Sequence, residues 1–67
     1  MYSTRIKELR KEKGLSQKEL AEILKVDFRT ISFWETGRYE PNINQIIILC
    51  DFFNVSADYL LGIKDWY

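Results

Sequence analysis

The sequence predicts an all-α fold of five short helices, the second and third forming a helix-turn-helix. Three observations carry that expectation. First, the stretch Gln17 to Thr36, QKELAEILKVDFRTISFWET, has the right apolar spacing. Leu20, Ala21 and Leu24 fall on one helical face, Val26 sits in a turn, and Ile31 and Trp34 form an i, i+3 stripe on a second helix. Helices this short must cross steeply if both stripes are to reach one core, and Ala21 is small enough for the closest approach. Second, start and stop residues punctuate the chain at helix-length intervals. Third, 67 residues with no linker, repeat or low-complexity segment make one domain, residues 1–67.

Each helix has its own warrant. The first is expected from Ser3 to Lys13, with Ile6 and Leu9 inward and Gly14 as the stop. Ser16 caps the second, and Glu19 completes a capping box, S-Q-K-E, before the helix ends near Leu24. Asp27 caps the third, which runs to about Thr36 with Gly37 beyond it. Pro41 keeps Glu40 out of the helical region, so residues 38–42 read as an extended loop. The fourth helix is expected over Asn42 to Phe53, with Ile43, Ile46, Leu49, Cys50 and Phe53 inward and Asn54 in a left-handed turn. Ser56 caps a last helix to about Leu61, and Gly62 ends it. Residues 63–67 read as an irregular or fraying tail.

Composition narrows the chemistry. Cys50 is the single cysteine and histidine is absent, which excludes an intrachain disulfide and a Cys/His zinc site. Cys50 falls on an apolar stripe with no histidine base to activate it, so it reads as core. With no paired carboxylates on one face and no phosphate-cradling glycine loop, an enzyme is not expected, nor any cofactor. The most apolar run, Ile46 to Cys50, is far too short for a membrane span, and no signal peptide is legible, so a cytoplasmic location is the default. Net charge is zero, yet it is unevenly placed. Residues 1–38 hold nine basic against six acidic residues, +3, and residues 39–67 hold one against four, −3. The positive half contains the helix-turn-helix, as nucleic-acid binding would require.

Taken together, RIKELRKEKGLSQKELAEIL, then VDFRTISFWETG, then the P-N start and FFNVSADYLLG, resemble the Cro/repressor-type (XRE) helix-turn-helix family of phage and bacterial regulators. The resemblance covers about residues 4–62. It rests on L-S-Q-x-E-L-A, W-E-x-G and V-S-x-D-Y-L-L-G in that order. It implies a compact, five-helix, lambda-repressor-like domain that binds a double-stranded DNA operator, usually as a homodimer. It further implies that Arg10 pairs with Glu35 of W-E-x-G and orients the third helix against the first.

Site residues follow from position and chemistry. Phe28, Arg29, Ser32 and Phe33 occupy the outward face of the third helix, where a major-groove reader places its base contacts. Arg29 suits guanine O6 and N7, with a phosphate contact or a salt bridge to Asp27 or Glu22 as the alternative. The two phenylalanines suit thymine methyl groups or pack on their own domain. Gln17, at a helix start rich in free N–H groups, suits a phosphate oxygen, and the resemblance makes it a backbone anchor. Thr30, Thr36, Arg38 and Tyr39 flank the reading face as further backbone contacts. Lys13 and Lys18 are candidates by charge alone. Lys25 stands where a left-handed turn favours glycine, at a cost of roughly 1 kcal/mol.

Ile48 and Phe52 fall at i, i+4 on the outer side of the fourth helix, and Trp66 and Tyr67 add apolar surface in the tail. These four are expected to form a symmetric dimer interface. The competing expectation is that the two tail aromatics fold back on the first helix. The reading is a transcriptional repressor acting by operator occupancy, with no ligand-sensing domain in the chain. Its rival is a helix-turn-helix used as a protein-interaction module, such as an antitoxin or adaptor.

Overall fold

The computed structural model describes residues 2–63 and, for side chains, residues 5–63. Trp66 and Tyr67, expected at the dimer interface, lie outside the described residues. Five helices follow one another: α1 (Tyr2–Glu12), α2 (Gln17–Leu24), α3 (Phe28–Thr36), α4 (Ile43–Phe53) and α5 (Ala57–Leu60). α3 packs against both α1 and α2, and α5 packs against both α1 and α4. Ile6, Leu9, Leu20, Ala21, Ile31, Trp34, Leu49, Phe53, Tyr59 and Leu60 form the shared core.

The helix ends are set by local chemistry. Glu19 N–H donates to Ser16 Oγ at 3.0 Å, and Ser16 N–H donates to Glu19 Oε1 at 2.8 Å, closing the capping box at α2. That backbone bond, helped by the Ser16 hydroxyl, holds the Glu19 carboxyl below its usual range. α2 ends at Lys25, whose φ of 59° and ψ of 44° are left-handed. Val26 N–H then donates to the Ala21 carbonyl at 3.0 Å, which turns the chain toward α3. Asp27 caps α3 by accepting from Arg29 N–H at 2.8 Å. Asn42 and Gln45 make a second capping box at α4, with both bonds at 2.8 Å.

Four expectations need correction. α1 runs one residue earlier than predicted at both ends, and α4 begins at Ile43 with Asn42 as its cap. Ile43, expected inward, is 74 % exposed. At about 100° per residue it lies about 70° from the centre of the Ile46, Leu49, Cys50, Phe53 stripe, on the side of the exposed Ile47. Phe52, expected on the open outer side, is half-buried: its ring packs on Phe53 at 5.0 Å, with Lys13 Nζ 5.3 Å above it. Ile48 is 49 % exposed. Cys50 is half-buried against the core, and burial pushes its thiol up.

Candidate nucleic-acid interface

α3 carries two interleaved sets of residues. Ile31 and Trp34 face the core and are almost fully buried. Phe28, Arg29 and Ser32, with Phe33 beside them, occupy the opposite arc, as 3.6 residues per turn dictates. Phe28 is 46 % exposed and the Arg29 side chain 70 %. Ser32 and Phe33 are half-buried. Thr30 is also half-buried, and Thr36 is exposed at the C-terminal end of the same arc.

Arg29 bends back to its own cap. Its Nε donates to Asp27 Oδ1 at 3.3 Å and its Nη2 to Oδ2 at 3.4 Å. The long distances and exposed side chains make this a weak, replaceable pair. It still holds the Asp27 carboxyl below its usual range and raises Arg29, mainly through the side-chain hydrogen bonds. The structure thus shows Arg29 in the salt bridge to Asp27, one of the expected alternatives.

A second arginine supports the face from beneath. Arg10 Nε donates to Glu35 Oε2 at 2.6 Å and Arg10 Nη2 to Oε1 at 3.1 Å, a bidentate pair with side chains only 10 % and 3 % exposed. Arg10 Nη1 donates to the Leu15 carbonyl at 2.7 Å. The Glu35 hydrogen bonds raise the Arg10 pKa above its usual value. Gln17 Nε2 also donates to Glu35 Oε1, at 3.0 Å. The sequence carries no local signal for this contact, because three helices must dock before residues 10, 17 and 35 share a site. Among the described residues, no buried side-chain polar atom is left without a partner.

The loop after α3 is organised by Phe33. Its carbonyl accepts the N–H groups of Arg38 at 2.9 Å and Tyr39 at 3.4 Å. Its ring lies 5.2 Å from that of Tyr39 with planes 81° apart, and the Arg38 guanidinium carbon stands 5.4 Å from the ring centre. Thr36 Oγ1 donates to the Ser32 carbonyl at 2.9 Å, so its hydroxyl proton already has an acceptor within α3. Lys18 is exposed on α2. Lys13 leans over Phe52 on α4, and its position by charge alone did not reveal that contact.

Two capped helices joined by a left-handed turn, with the outer face of the second open to solvent, define a helix-turn-helix domain. Comparison with known families agrees: the chain belongs to the helix-turn-helix family, whose sequence model matches residues 6–60. It is 40 % identical over 58 residues to the HTH-type transcriptional regulator ImmR of Bacillus subtilis, covering 87 % of this chain and 46 % of that protein. Across ImmR and two other curated relatives, the chain spans 30 to 58 % of their length.

Solved structures give the same fold. The P22 c2 repressor protein, in complex with the synthetic operator 9T, matches with a TM-score of 0.83 and 32 % identity over 90 % of this chain and 91 % of that one. The biofilm master regulator SinR, in complex with DNA, matches with a TM-score of 0.81 and 37 % identity over 91 % and 98 %.

Proposed function

We propose that the chain is a sequence-specific DNA-binding transcriptional regulator, a repressor that acts by occupying its operator as a dimer. The observation that carries this is the open arc of α3, supported by the DNA-bound state of two structural neighbours that cover nine-tenths of the chain. In this reading α3 enters the major groove. Arg29 exchanges Asp27 for a guanine edge, and Phe28 and Ser32 complete the base contacts. Gln17, Lys18, Thr30, Thr36, Arg38 and Tyr39 grip phosphates, with Thr36 donating its hydroxyl proton to a phosphate only after its own bond to the Ser32 carbonyl breaks. Gln17 Nε2 donates to Glu35 Oε1, which leaves its second amide N–H for a phosphate oxygen near the start of α2, where free N–H groups favour an anion.

The proposed dimer contact uses Ile48 on the exposed side of α4 with Phe52 at its edge; Trp66 and Tyr67, proposed for the same contact, lie outside the described residues. Two copies would present α3 to successive major grooves about 34 Å apart. Among the described residues no helix is long and apolar enough to cross a membrane, which supports a cytoplasmic location. The zero net charge and the exposed Phe28 favour a second reading, in which the same arc binds a protein.

Selection from a random duplex library at low salt, followed by titration of the winner across salt, tests the proposal. A palindromic motif with half-sites one turn apart is the expected result. Weak binding with no enriched motif would overturn it in favour of the protein-interaction reading.

A further inference from the structure

The contacts of Phe33 set it apart from the rest of the reading arc. Phe28 is 46 % exposed, and the Arg29 side chain donates to its own cap, Asp27. Phe33 instead turns toward the C-terminal end of α3 and meets the loop with both its backbone and its ring. The carbonyl gathers the Arg38 and Tyr39 N–H groups, and the ring takes Arg38 at 5.4 Å and Tyr39 at 5.2 Å. A guanidinium within about 6 Å of an aromatic centre is attracted by the ring quadrupole. Among the described residues no carboxylate pairs with Arg38, so the ring is what orders it. An arginine held this way keeps its donors and its full charge, because the ring neutralises neither. Both held residues are themselves exposed.

We infer that Phe33 is a positioning residue: its ring holds the Arg38 guanidinium and the Tyr39 hydroxyl ready for one stretch of phosphate backbone, and it acts through them more than through a base. This deepens the DNA reading above and rests on it. A thymine-methyl reader leaves the salt dependence unchanged when replaced and alters preference at one base position. A platform for a phosphate-binding arginine does the opposite. Ordering the arginine before contact removes part of the side-chain entropy that binding would otherwise cost.

The test compares Phe33→Leu, Phe33→Tyr, Arg38→Ala and the double variant Phe33→Leu/Arg38→Ala on the duplex selected for the parent chain and on a scrambled one. Circular dichroism verifies that each is folded. Phe33→Leu is expected to weaken binding about two- to five-fold on both duplexes, the range that matches an exposed cation–ring contact. Its slope of log K against log salt falls toward that of Arg38→Ala, which is lower than the parent by about 0.9. The selected motif stays the same, the double variant is no weaker than Arg38→Ala, and Phe33→Tyr keeps the parent behaviour.

Without DNA, the Arg38 side-chain protons are shifted upfield by the ring in the parent and return to ordinary values in Phe33→Leu. A motif altered at one base pair with an unchanged slope makes Phe33 a base reader and overturns the inference. So do Arg38 protons that show no ring shift in the parent. A parent chain that binds no duplex at any salt overturns the DNA reading and this inference with it, and is distinguished because the failure precedes any substitution.

Discussion

Two arginine–carboxylate pairs lie at opposite sides of α3, and they differ in everything except their chemistry. Arg10 and Glu35 are buried, bidentate and short, with further hydrogen bonds from Arg10 to Leu15 and from Gln17 to Glu35. Asp27 and Arg29 are exposed and two residues apart, and their contacts are 3.3 and 3.4 Å. A buried pair with every hydrogen-bonding group satisfied fixes three helices at one angle, because removing either member strands a charge. An exposed pair costs little to open, and water or another acceptor replaces it. The same two functional groups thus serve as a joint in one place and as a latch in the other.

The largest effect should come from breaking the joint. Glu35→Ala is expected to destabilise the domain by about 3–5 kcal/mol, because it leaves the Arg10 guanidinium buried with only the Leu15 carbonyl. For a domain with a total stability on the order of 5 kcal/mol, urea denaturation should find most of the fold lost. A loss under 1 kcal/mol would place the pair in the same category as the surface latch.

Breaking the latch should act on recognition and leave folding alone. Arg29→Ala should change stability by no more than about 0.5 kcal/mol while removing about 1–3 kcal/mol of discrimination at one base position. Duplex selection and a melt on the same sample measure both. An unfolded Arg29→Ala chain would erase the contrast between the pairs.

The turn between the pairs gives a smaller effect. Lys25→Gly relieves a left-handed side chain by about 1 kcal/mol, which is about 4–8 °C in Tm for a domain of this size. A lower Tm would mean that the lysine stem supports the turn.

The smallest effect is electrostatic. The Asp27 carboxyl lies below its usual range in the folded chain, first through the Arg29 side chain and then through the Arg29 N–H. A depressed folded pKa stabilises the fold above the ordinary carboxylate pKa, and that contribution is lost as pH falls through the folded value. In Arg29→Ala the Asp27 midpoint, followed by NMR, should move up toward the ordinary range but stop short of it, because the cap bond to the backbone remains. No movement would mean that the cap bond alone sets the value.

What was legible in the sequence was whatever is local. Ser16 with Glu19, Asp27 as a cap, Lys25 and Asn54 in left-handed turns, and the Ile31–Trp34 stripe all depend on neighbours within four positions. Asn42 with Gln45 carries the same local signature, an N-cap followed three residues later by a glutamine. The misplacement of Ile43 has another origin: the stripe of α4 is broad, and periodicity alone does not say which edge residue the partner helices reach. Phe52 was misjudged because a lysine eleven residues beyond α1's start covers it, and a helix surface says nothing of its neighbours. The Gln17–Glu35 contact and the Phe33–Arg38–Tyr39 cluster depend on docking and on loop direction. Both are tertiary facts, so spacing could not reveal them.

The interleaving of α3 bears on how such a domain can diversify. Phe28, Arg29 and Ser32 are exposed or half-exposed, and none of them belongs to the core cluster, so substitutions there change the surface that α3 presents while costing the fold little. Ile31 and Trp34, one position away, have no such freedom. Phe33 lies between the two regimes, since its carbonyl and its ring both contact the loop that follows. On the DNA-binding reading proposed above, the helix is a cartridge with three interchangeable positions, and a lineage can retarget it without first acquiring spare stability.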